Sequence, residues 1–441
     1  MTYAEAKSYL YSLERRGVRL GLDRILGAFH ELGDPQESFD SVLIAGTNGK
    51  GSTAAFTASC LQAAGSRTGL FTSPHLIDFR ERIRIDGRMI SEDAVVDLTE
   101  RIRLTVERWQ LSFFEATTLI AFLWFSESGV DAAAVEVGLG GRLDATRPVR
   151  PLADVVTSIS LDHEKILGSS RPAIAGEKAG IFRAGVPTVV GVSAADAIAV
   201  LRERSREVGA PFYERRRFLR VTGIMSTADG AGCRFHAGPR FRGRGAALPG
   251  IGDGITLEIP LAGRHQAANA ALALLALSML PPRLGIDADS LRGGFRRARW
   301  PGRCEILCER PRIICDVGHN PGGARSLSRV LAARGGGKVR LVVGMVEAKD
   351  HAGFLRALAD RAAHVHACSP RTDRATPGAE ITRIAGDLGI PATLHEHPSD
   401  AVQAALAAGA DGLPIVITGS FYTVGEAMEH LGLNLPDPLW S

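Results

Sequence analysis

The chain has 441 residues and a mass of 46.9 kDa, which exceeds the usual size of one domain, so we expect two. Apolar residues make up 45% and charged residues 23% of the chain, which is typical of a soluble globular protein. The formal net charge of +4 is too small and too dispersed to favour nucleic acid, but it suits an anionic small-molecule ligand.

Several features argue against other classes of protein. The arginine-rich stretches Arg215–Arg217 and 240–244 are interpreted as solvated loop or strand faces. The six cysteines form no CxxC pair and show no zinc-ligand spacing, so we expect reduced packing residues. The N-terminus lacks the apolar core of a signal peptide, and the most apolar helix, residues 269–280, is too short to cross a membrane. We therefore expect a cytoplasmic protein.

The first half of the chain predicts a parallel sheet. Short β-branched runs alternate with helical patterns, and the runs lie at residues 41–47, 67–73, 132–138, 155–160 and 187–192. This alternation indicates a sheet covered by helices on both faces. Between residues 211 and 262 the pattern changes to polar, glycine-rich strands, which predicts a small antiparallel annex. An alanine- and leucine-rich helix then begins near Gln266.

A second series of strands and helices follows Arg296. Its predicted strands lie at residues 304–310, 312–318, 339–345, 364–369, 391–397 and 414–420. This pattern predicts a second, smaller α/β domain. We place the two domains at residues 1–296 and 297–441, with the segment FRRARWPGR at 295–303 as the natural hinge.

The segment GTNGKGS at residues 46–52 is the strongest chemical signal. It follows an apolar strand and precedes a helical run, which is the order of a phosphate-binding loop. Backbone N–H groups at the glycines and the charge of Lys50 would face the phosphates, and Ser52 is the expected hydroxyl ligand of Mg²⁺. The spacing differs from the standard P-loop, because Ile44 stands where a glycine is required and Gly51 follows the lysine. The alternative is a glycine turn with a surface lysine.

Two further strand ends in the first half carry candidate ligands. Glu136 ends a buried strand before a glycine-rich loop, where a carboxylate would suit Mg²⁺, although it could equally cap a helix or pair with Arg142. Asp162 and His163 follow another strand, and Lys178 lies on the next helical stretch. From periodicity alone, a hydrogen-bonded structural histidine and a surface lysine are the simpler interpretations.

In the second half, polar residues gather in loops and at strand ends. They are Arg303 in WPGR, Asp316, His319 and Asn320 in DVGHNP, and Ser420 in TGSFYTVGE. Such residues could complete a site across a cleft between two domains. The same sequences are also good turn and helix-capping segments, so this alternative stays open.

Nine segments occur in order along nearly the whole chain: GTNGKGS, TSPHL, EVGLGGRLDAT, LDH, EKAGIF, GRHQAANA, WPGR, GHNP and TGSFYTVGE. Each alone is a weak signal, but the combination is specific. With this combination the chain resembles the folylpolyglutamate synthase/dihydrofolate synthase family of the Mur ligase superfamily. The resemblance implies an N-terminal P-loop-type ATPase domain, a C-terminal Rossmann-like domain and an active site between them.

The resemblance also implies roles for individual residues. The nucleotide would contact Gly46, Thr47, Asn48, Gly49, Lys50, Gly51 and Ser52 of the loop, Asn269 near the adenine, and Arg303, Asp316 and His319 from the other domain. Ser52 and Glu136 would hold one Mg²⁺, and His163 with a carbamylated Lys178 would hold a second. Ser73, Pro74, His75 and Leu76 would contact the pterin. The implied catalytic residues are Lys50, His163, Lys178, Arg303 and His319.

The implied activity is an ATP-dependent ligation of L-glutamate to a reduced folate, to dihydropteroate, or to both. ATP would convert the carboxylate to an acyl phosphate, which the amino group of glutamate then attacks. Closure of the two domains about residues 297–303 would exclude the water that hydrolyses the acyl phosphate. A monomer is expected, without nucleic-acid or membrane partners.

The sequence departs from the family pattern at three places. MVEAKD has Ala348 where the pattern has Asp, DVGHNP replaces DGAHNP, and LDATR has Arg147 in place of Asn. The first departure leaves the roles of Lys349 and Asp350 open, and it is the only hint of a nucleotide-binding regulator without catalysis. The other alternative, a ligase for a cell-wall nucleotide-linked acid, is disfavoured by TSPHL and by the spacing of GTNGKGS.

Overall fold

The computed structural model describes residues 1–17, 19–226, 232–239, 254–335, 337–409 and 412–440. The arginine-rich stretch at 240–244 lies outside the described residues, whereas Arg215–Phe218 forms a short helix in which no residue is buried. Among the described residues, every helix is too short or too polar to cross a membrane. The six cysteines, all of them described, are free thiols.

The first sheet has eight strands. They are β1 (Asp40–Ala45), β2 (Thr68–Phe71), β3 (Ile83–Ile85), β4 (Arg88–Met89), β5 (Ala132–Glu136), β6 (Arg150–Val156), β7 (Thr188–Val190) and β8 (Phe212–Glu214). Their spatial order is β4-β3-β2-β5-β1-β6-β7-β8, and only the β2–β3 and β3–β4 pairs are antiparallel. The predicted parallel sheet is therefore confirmed, with an edge hairpin of two and three residues that is too short to give a sequence pattern.

Helices cover both faces of this sheet, as predicted. Those before the annex are α1 (Tyr3–Ser12), α2 (Asp23–Glu31), α3 (Lys50–Ala63), α4 (Glu92–Arg108), α5 (Phe113–Glu127), α6 (Glu164–Leu167), α7 (Arg171–Ala179), α8 (Ala195–Val208) and α9 (Arg215–Phe218), with 3₁₀ turns at Leu13–Arg16, Pro35–Glu37 and Phe79–Arg82. One core joins α1, α2, α4, α5, α7 and α8 to the sheet, and a second core joins α3 to its opposite face. Nearly every residue of α3 is buried, which fixes the loop before it.

The annex is a three-stranded antiparallel sheet of β9 (Leu219–Ser226), β10 (Cys233–Pro239) and β11 (Ile255–Ile259). It packs against α10 (Arg264–Leu277) and α11 (Ala288–Arg297), with a 3₁₀ turn at Pro282–Leu284 between them. The annex begins later than predicted, because β8 pairs in parallel with β7 and so extends the first sheet.

A six-stranded sheet forms the second α/β unit. Its strands are β12 (Glu305–Glu309), β13 (Arg312–Asp316), β14 (Val339–Val343), β15 (Ala362–Ala367), β16 (Ala392–Leu394) and β17 (Ile415–Thr418), in the order β12-β13-β17-β14-β15-β16. Only β12 pairs antiparallel. The helices are α12 (Pro321–Ala333), α13 (His351–Leu358), α14 (Gly378–Asp387), α15 (Pro398–Ala407) and α16 (Phe421–His430). The α/β fold class is confirmed, and the boundary predicted after Arg296 falls at the end of α11.

The last residues return to the first sheet. Leu439 N donates to Gly87 O over 2.9 Å, and the buried Arg84 guanidinium lies 3.3 Å from the Asp437 carboxylate. Leu439 and Trp440 are buried in the core beneath α3. The second α/β unit is thus tied to the first at both of its ends.

Candidate active site

The loop at residues 46–52 is held in place by the end of the neighbouring β6 segment. Asn48 N donates to the Ser158 hydroxyl over 2.9 Å, and the Thr157 hydroxyl donates to Asn48 O over 2.8 Å. Gly49, with φ of 92°, precedes the first residue of α3, and a Cβ on it would lie 2.5 Å from the Asn269 amide oxygen. Glycine is therefore required there both by backbone conformation and by space. The N–H groups of the first turn of α3 open onto this loop, which suits phosphate oxygens.

Lys50 and Glu136 meet beside this loop. The Lys50 ammonium lies 3.8 Å from the Glu136 carboxylate and 3.4 Å from Thr47 O. Glu136 is buried and accepts a hydrogen bond from Ser73 N over 3.3 Å, while Arg142 pairs instead with Glu177. Burial raises the Glu136 pKa, and the Lys50 charge opposes that rise. Glu136 is thus neither a helix cap nor a partner of Arg142.

Lys178 lies beneath the same loop and is not a surface residue. Its side chain is buried, and the ammonium donates to Gly46 O over 3.0 Å. Burial, followed by the nearby Lys50 charge, lowers the Lys178 pKa to about 7. A substantial neutral fraction therefore exists at neutral pH.

Asp162 and His163 face the second α/β unit. Lys349 Nζ lies 2.5 Å from the Asp162 carboxylate and 3.4 Å from His163 Nε2, and both partners of this ion pair are nearly buried. Burial acts to raise the Asp162 pKa, but hydrogen bonding from His319 and the Lys349 charge hold it well below its usual range. Burial and the Lys349 charge lower the His163 pKa to about 4, so His163 is neutral at pH 7.

An amide pair also connects the two halves of the site. Asn320 Nδ2 donates to the Asn48 amide oxygen over 2.9 Å, and Asn48 Nδ2 donates back over 3.3 Å. Asn320 also caps α12 by accepting from Gly323 N. His319 Nε2 lies 3.6 Å from the Asp162 carboxylate. The GHNP segment therefore contacts the phosphate loop and the strand end that carries Asp162.

Arg303 and Asp316 lie at the opposite wall of this site. The Arg303 guanidinium carbon sits 5.4 Å from the centre of the Phe421 ring, and the buried Nε has no hydrogen-bond partner. Asp316 accepts from Gly318 N over 2.9 Å and from Cys304 N over 3.1 Å. Asp316 therefore shapes the DVGHNP turn, while Arg303 keeps donors for a further partner. Ser420, by contrast, is buried and uses its hydroxyl to cap α16.

The predicted pterin loop, Ser73 to Leu76, contacts Glu136 of the first sheet through Ser73 N. The Glu81 carboxylate accepts from the N–H groups of Leu76, Ile77 and Asp78 over 2.6 to 2.9 Å, which fixes the end of the loop. A Cβ on Gly425 of α16 would lie 2.1 Å from Leu76 O. The loop thus lies between the two α/β units.

The residues at the two implied metal positions fit divalent cations in different degrees. Ser52 and Glu136 offer the hard oxygen donors that Mg²⁺ prefers, and Lys50 does not pair tightly with the carboxylate. His163 offers a neutral nitrogen that can coordinate a metal. An ammonium at Lys178 has no lone pair for a metal, so the second position fits a cation only if Lys178 is modified. Among the described residues, no three His, Cys, Asp or Glu side chains gather as a metal cluster.

Sequence reasoning missed part of this site. The sequence leaves the role of Lys349 open because Ala348 breaks the family pattern, yet Lys349 forms an ion pair with Asp162 across the cleft. Ala348 has φ of 59°, a conformation that Asp and Asn tolerate better than Ala. Asp350 caps α13 by accepting from Gly353 N. The lysine of MVEAKD was the available signal, but its partner lies 187 residues away.

A glycine phosphate loop at the end of a parallel sheet, facing a second α/β unit, is the arrangement of Mur-type ligases, and two family models identify this chain as one. The family model for the "Mur ligase middle domain" matches residues 44–277, and the model for the "Mur ligase, glutamate ligase domain" matches residues 302–421. The dihydrofolate synthase/folylpolyglutamate synthase of Bacillus subtilis is 33% identical over 97% of this chain and 99% of its own length. The chain belongs to the folylpolyglutamate synthase/dihydrofolate synthase family.

Solved structures agree with this assignment. Mycobacterium tuberculosis folylpolyglutamate synthase complexed with ADP and AMPPCP matches with a TM-score of 0.89 and 32% identity, over 98% of this chain and 100% of that one. The Yersinia pestis bifunctional enzyme complexed with AMPPNP and Mn ion matches with a TM-score of 0.82 and 32% identity, over 98% of each chain. E. coli FolC in complex with DHPP and ADP has a TM-score of 0.82 and 30% identity, over 98% of each chain.

Two relatives are longer than this chain. The probable bifunctional folylpolyglutamate synthase/dihydropteroate synthase of Halobacterium salinarum is 37% identical over 97% of this chain but only 51% of its own length. The match to the Haloferax volcanii relative of the same description covers 50% of that relative's length. The chain thus spans about half of these two relatives.

Proposed function

We propose that this chain is an ATP-dependent ligase that joins L-glutamate to a reduced folate, to dihydropteroate, or to both, through an acyl phosphate. The observation that carries this proposal is the Lys50–Glu136 pair beside a glycine loop, facing Arg303 from the second α/β unit. Phosphoryl transfer between anions requires positioning and charge neutralisation, and Lys50 and Arg303 supply positive charge from opposite walls. Relatives complexed with ADP, AMPPCP or AMPPNP support ATP as the nucleotide.

The residues of the cleft would act in turn. Backbone N–H groups of residues 46–52 would hold the phosphates, and the Lys50 ammonium would balance the charge on the group being transferred. Arg303, whose Nε has no partner, would donate to the phosphates as the two units close. Closure about residues 297–303 would exclude the water that hydrolyses an acyl phosphate. Asn269 packs against Gly49, which is consistent with its proposed position near the adenine.

We assign Mg²⁺ as the metal, held by Ser52 and Glu136 at one position and by His163 and Lys178 at a second. The bound metal would neutralise phosphate charge. The Lys178 amine would add to CO₂, forming an N–C bond and releasing one proton, and the resulting carbamate offers two oxygen donors. Burial and the pKa of about 7 support this modification, because only the neutral amine reacts. The Mn ion in the Yersinia pestis structure supports a divalent metal.

The partners of the proposed enzyme are small molecules, and we propose a cytoplasmic monomer. The deciding experiment offers dihydropteroate and tetrahydrofolate separately, each with glutamate and ATP, and identifies products by mass spectrometry. We expect ADP to form only when an acid and glutamate are both present, together with one added glutamyl residue. ADP formation that depends on neither acid would refute the ligase and favour the regulator.

A further inference from the structure

The backbone around Arg303 adopts an uncommon conformation. Gly302 has φ of 73° and Cys304 has φ of 48°, so Arg303 lies between two residues in the left-handed region. A Cβ on Gly302 would lie 2.9 Å from Val317 Cγ1, so space as well as conformation requires glycine there. Cysteine is disfavoured in this region, and such a turn persists only where the surrounding structure holds it.

Two carboxylates hold the backbone N–H groups on either side of Arg303. Glu305 Oε2 accepts from Gly302 N over 2.8 Å. On the other side, Asp316 Oδ2 accepts from Cys304 N over 3.1 Å. Glu305 begins β12 and Asp316 ends β13, and the register of this antiparallel pair places their side chains on opposite faces. The turn that carries Arg303 is therefore anchored from both faces of the hairpin.

The Glu305 carboxylate has few other contacts. Its second hydrogen bond is a long one, 3.8 Å from the Cys315 thiol, and among the residues that the structure describes none forms an ion pair with it. Burial raises the Glu305 pKa, while the hydrogen bond from Gly302 N acts against the rise. A partly buried carboxylate without a cation is unfavourable for stability. What the chain gains from Glu305 is a fixed acceptor for the hinge.

The anchored turn determines where the Arg303 guanidinium lies. Its carbon sits 5.4 Å from the centre of the Phe421 ring, and its buried Nε has no hydrogen-bond partner. Because Glu305 contacts the backbone and not the guanidinium, it acts on Arg303 through the turn. A displacement of about 1 Å in a group that contacts the reacting atoms can lower the rate about 100-fold. A loosened turn would therefore reduce catalysis without removing any group that binds the nucleotide.

We propose that Glu305 is a positioning residue, which holds Gly302 N so that Arg303 projects towards the nucleotide phosphates as the two units close. This inference rests on the proposed function, because Glu305 acts through the role proposed for Arg303. The position requires an acceptor oxygen, whereas the negative charge itself is not required. A neutral side chain that still accepts from Gly302 N should therefore replace Glu305.

The test compares two neutral replacements of similar size. Glu305→Gln keeps an acceptor oxygen for Gly302 N, whereas Glu305→Met fills the same space without one. Asp287→Ala is the matched stability control, because Asp287 also accepts from backbone N–H groups but caps the start of α11. Glu305→Met is also combined with Arg303→Ala. The measurements are kcat, the KM for ATP, the unfolding midpoint and hydrogen exchange of residues 297–303 by mass spectrometry.

We expect Glu305→Met to lower kcat about 10- to 100-fold, with a KM for ATP within about threefold of wild type. Glu305→Gln should keep kcat within about threefold, and its hinge should exchange more slowly than that of Glu305→Met. Asp287→Ala should keep its kcat although its unfolding midpoint falls. Adding Glu305→Met to Arg303→Ala should lower kcat no further, because the group that Glu305 positions is already absent.

The inference and the proposed function fail in distinguishable ways. If Glu305→Met lowers kcat by the same factor with and without the Arg303 side chain, Glu305 does not act through Arg303, and the proposed function stands. A normal kcat in Glu305→Met, or an equal loss in Glu305→Gln, would likewise overturn the positioning role alone. If wild type ligates glutamate to neither acid, the proposed function fails and the positioning role fails with it.

Discussion

Gly51 offers a direct test of how the phosphate loop and the hinge are coupled. It lies in the first turn of α3, and a Cβ built on it would lie 2.8, 2.9 and 3.0 Å from three atoms of the Trp300 indole. Trp300 belongs to the hinge segment 297–303 and precedes Arg303 by three residues. A methyl group at Gly51 would therefore have to displace the hinge or the loop.

The expected size of the effect follows from two opposing contributions. Overpacking of this kind costs typically about 1–3 kcal/mol, whereas Gly→Ala inside a helix gains at most about 1 kcal/mol. We expect Gly51→Ala to lose about 1–2 kcal/mol of stability. Displacement of Trp300 should also misplace Arg303 and lower kcat about tenfold or more.

Urea denaturation and steady-state kinetics of Gly51→Ala, Trp300→Ala and the double variant test this coupling. The double variant should lose less than the sum of the single variants, because the clash disappears with the indole. The matched control is Gly293→Ala in α11, where no atom lies within 4 Å and stability should rise by about 0.5–1 kcal/mol. Additive effects, or a Gly51→Ala variant as stable as Gly293→Ala, would refute the reasoning.

Three further variants test the site. Lys50→Ala should lower turnover at least about 100-fold with an unchanged unfolding midpoint, and normal turnover in the folded variant would remove the nucleotide assignment. Arg303→Ala should lower kcat more than it raises the KM for ATP, since its contacts form on closure; a changed KM alone would contradict this. Lys178→Ala should lose most activity and regain part of it with added acetate, and wild type supplied with isotope-labelled bicarbonate should show a carbamate carbon signal by NMR; an active variant without such a signal would defeat the carbamate proposal.

The fold could be predicted largely from local patterns. Runs such as 132–138 and 187–192 became strands because β-branched and small apolar residues fit a sheet buried on both faces. The hairpin of β3 and β4 could not be predicted, since two or three residues carry no periodicity. The return of Leu439 and Trp440 to the first core is a long-range packing event that no local pattern encodes.

The residues of the site also separate into those that the local sequence predicts and those whose contacts depend on distant segments. Residues 46–52 could be recognised because the strand, glycine loop and helix are contiguous in sequence. The Lys349–Asp162 and Asn48–Asn320 contacts join distant segments and depend on how two sheets face each other. The helix-capping alternative was correct for Ser420, and it holds alongside a cross-cleft contact for Asn320. Asp350, whose role the sequence leaves open, also caps a helix. Local chemistry alone could not distinguish these cases.

A buried carboxyl group away from the cleft predicts how stability depends on pH. Asp154 on β6 is fully buried, and neither carboxylate oxygen has a hydrogen-bond partner. The hydroxyl of Thr188, its neighbour across the sheet, also lacks a partner. Burial raises the Asp154 pKa to about 8, although the charges of Arg183 and Arg147 act against the rise. Asp154 is therefore protonated in the folded protein at neutral pH.

The folded-state pKa of Asp154 lies above the value of about 3.9 for an unfolded chain. The contribution of Asp154 to the free energy of unfolding is therefore fully present below pH 4 and is lost as pH rises towards 8. The loss is at most about 1.4 kcal/mol per pH unit over that window. Asp154→Asn stays neutral, so its stability relative to wild type should grow by about 2–4 kcal/mol between pH 5 and pH 8 in urea denaturation. Asp289→Asn, whose side chain is 93% exposed, should show no such growth. If the advantage of Asp154→Asn instead stays constant between pH 5 and pH 8, Asp154 is ionised throughout that range and paired with Arg183, and the buried neutral acid is ruled out.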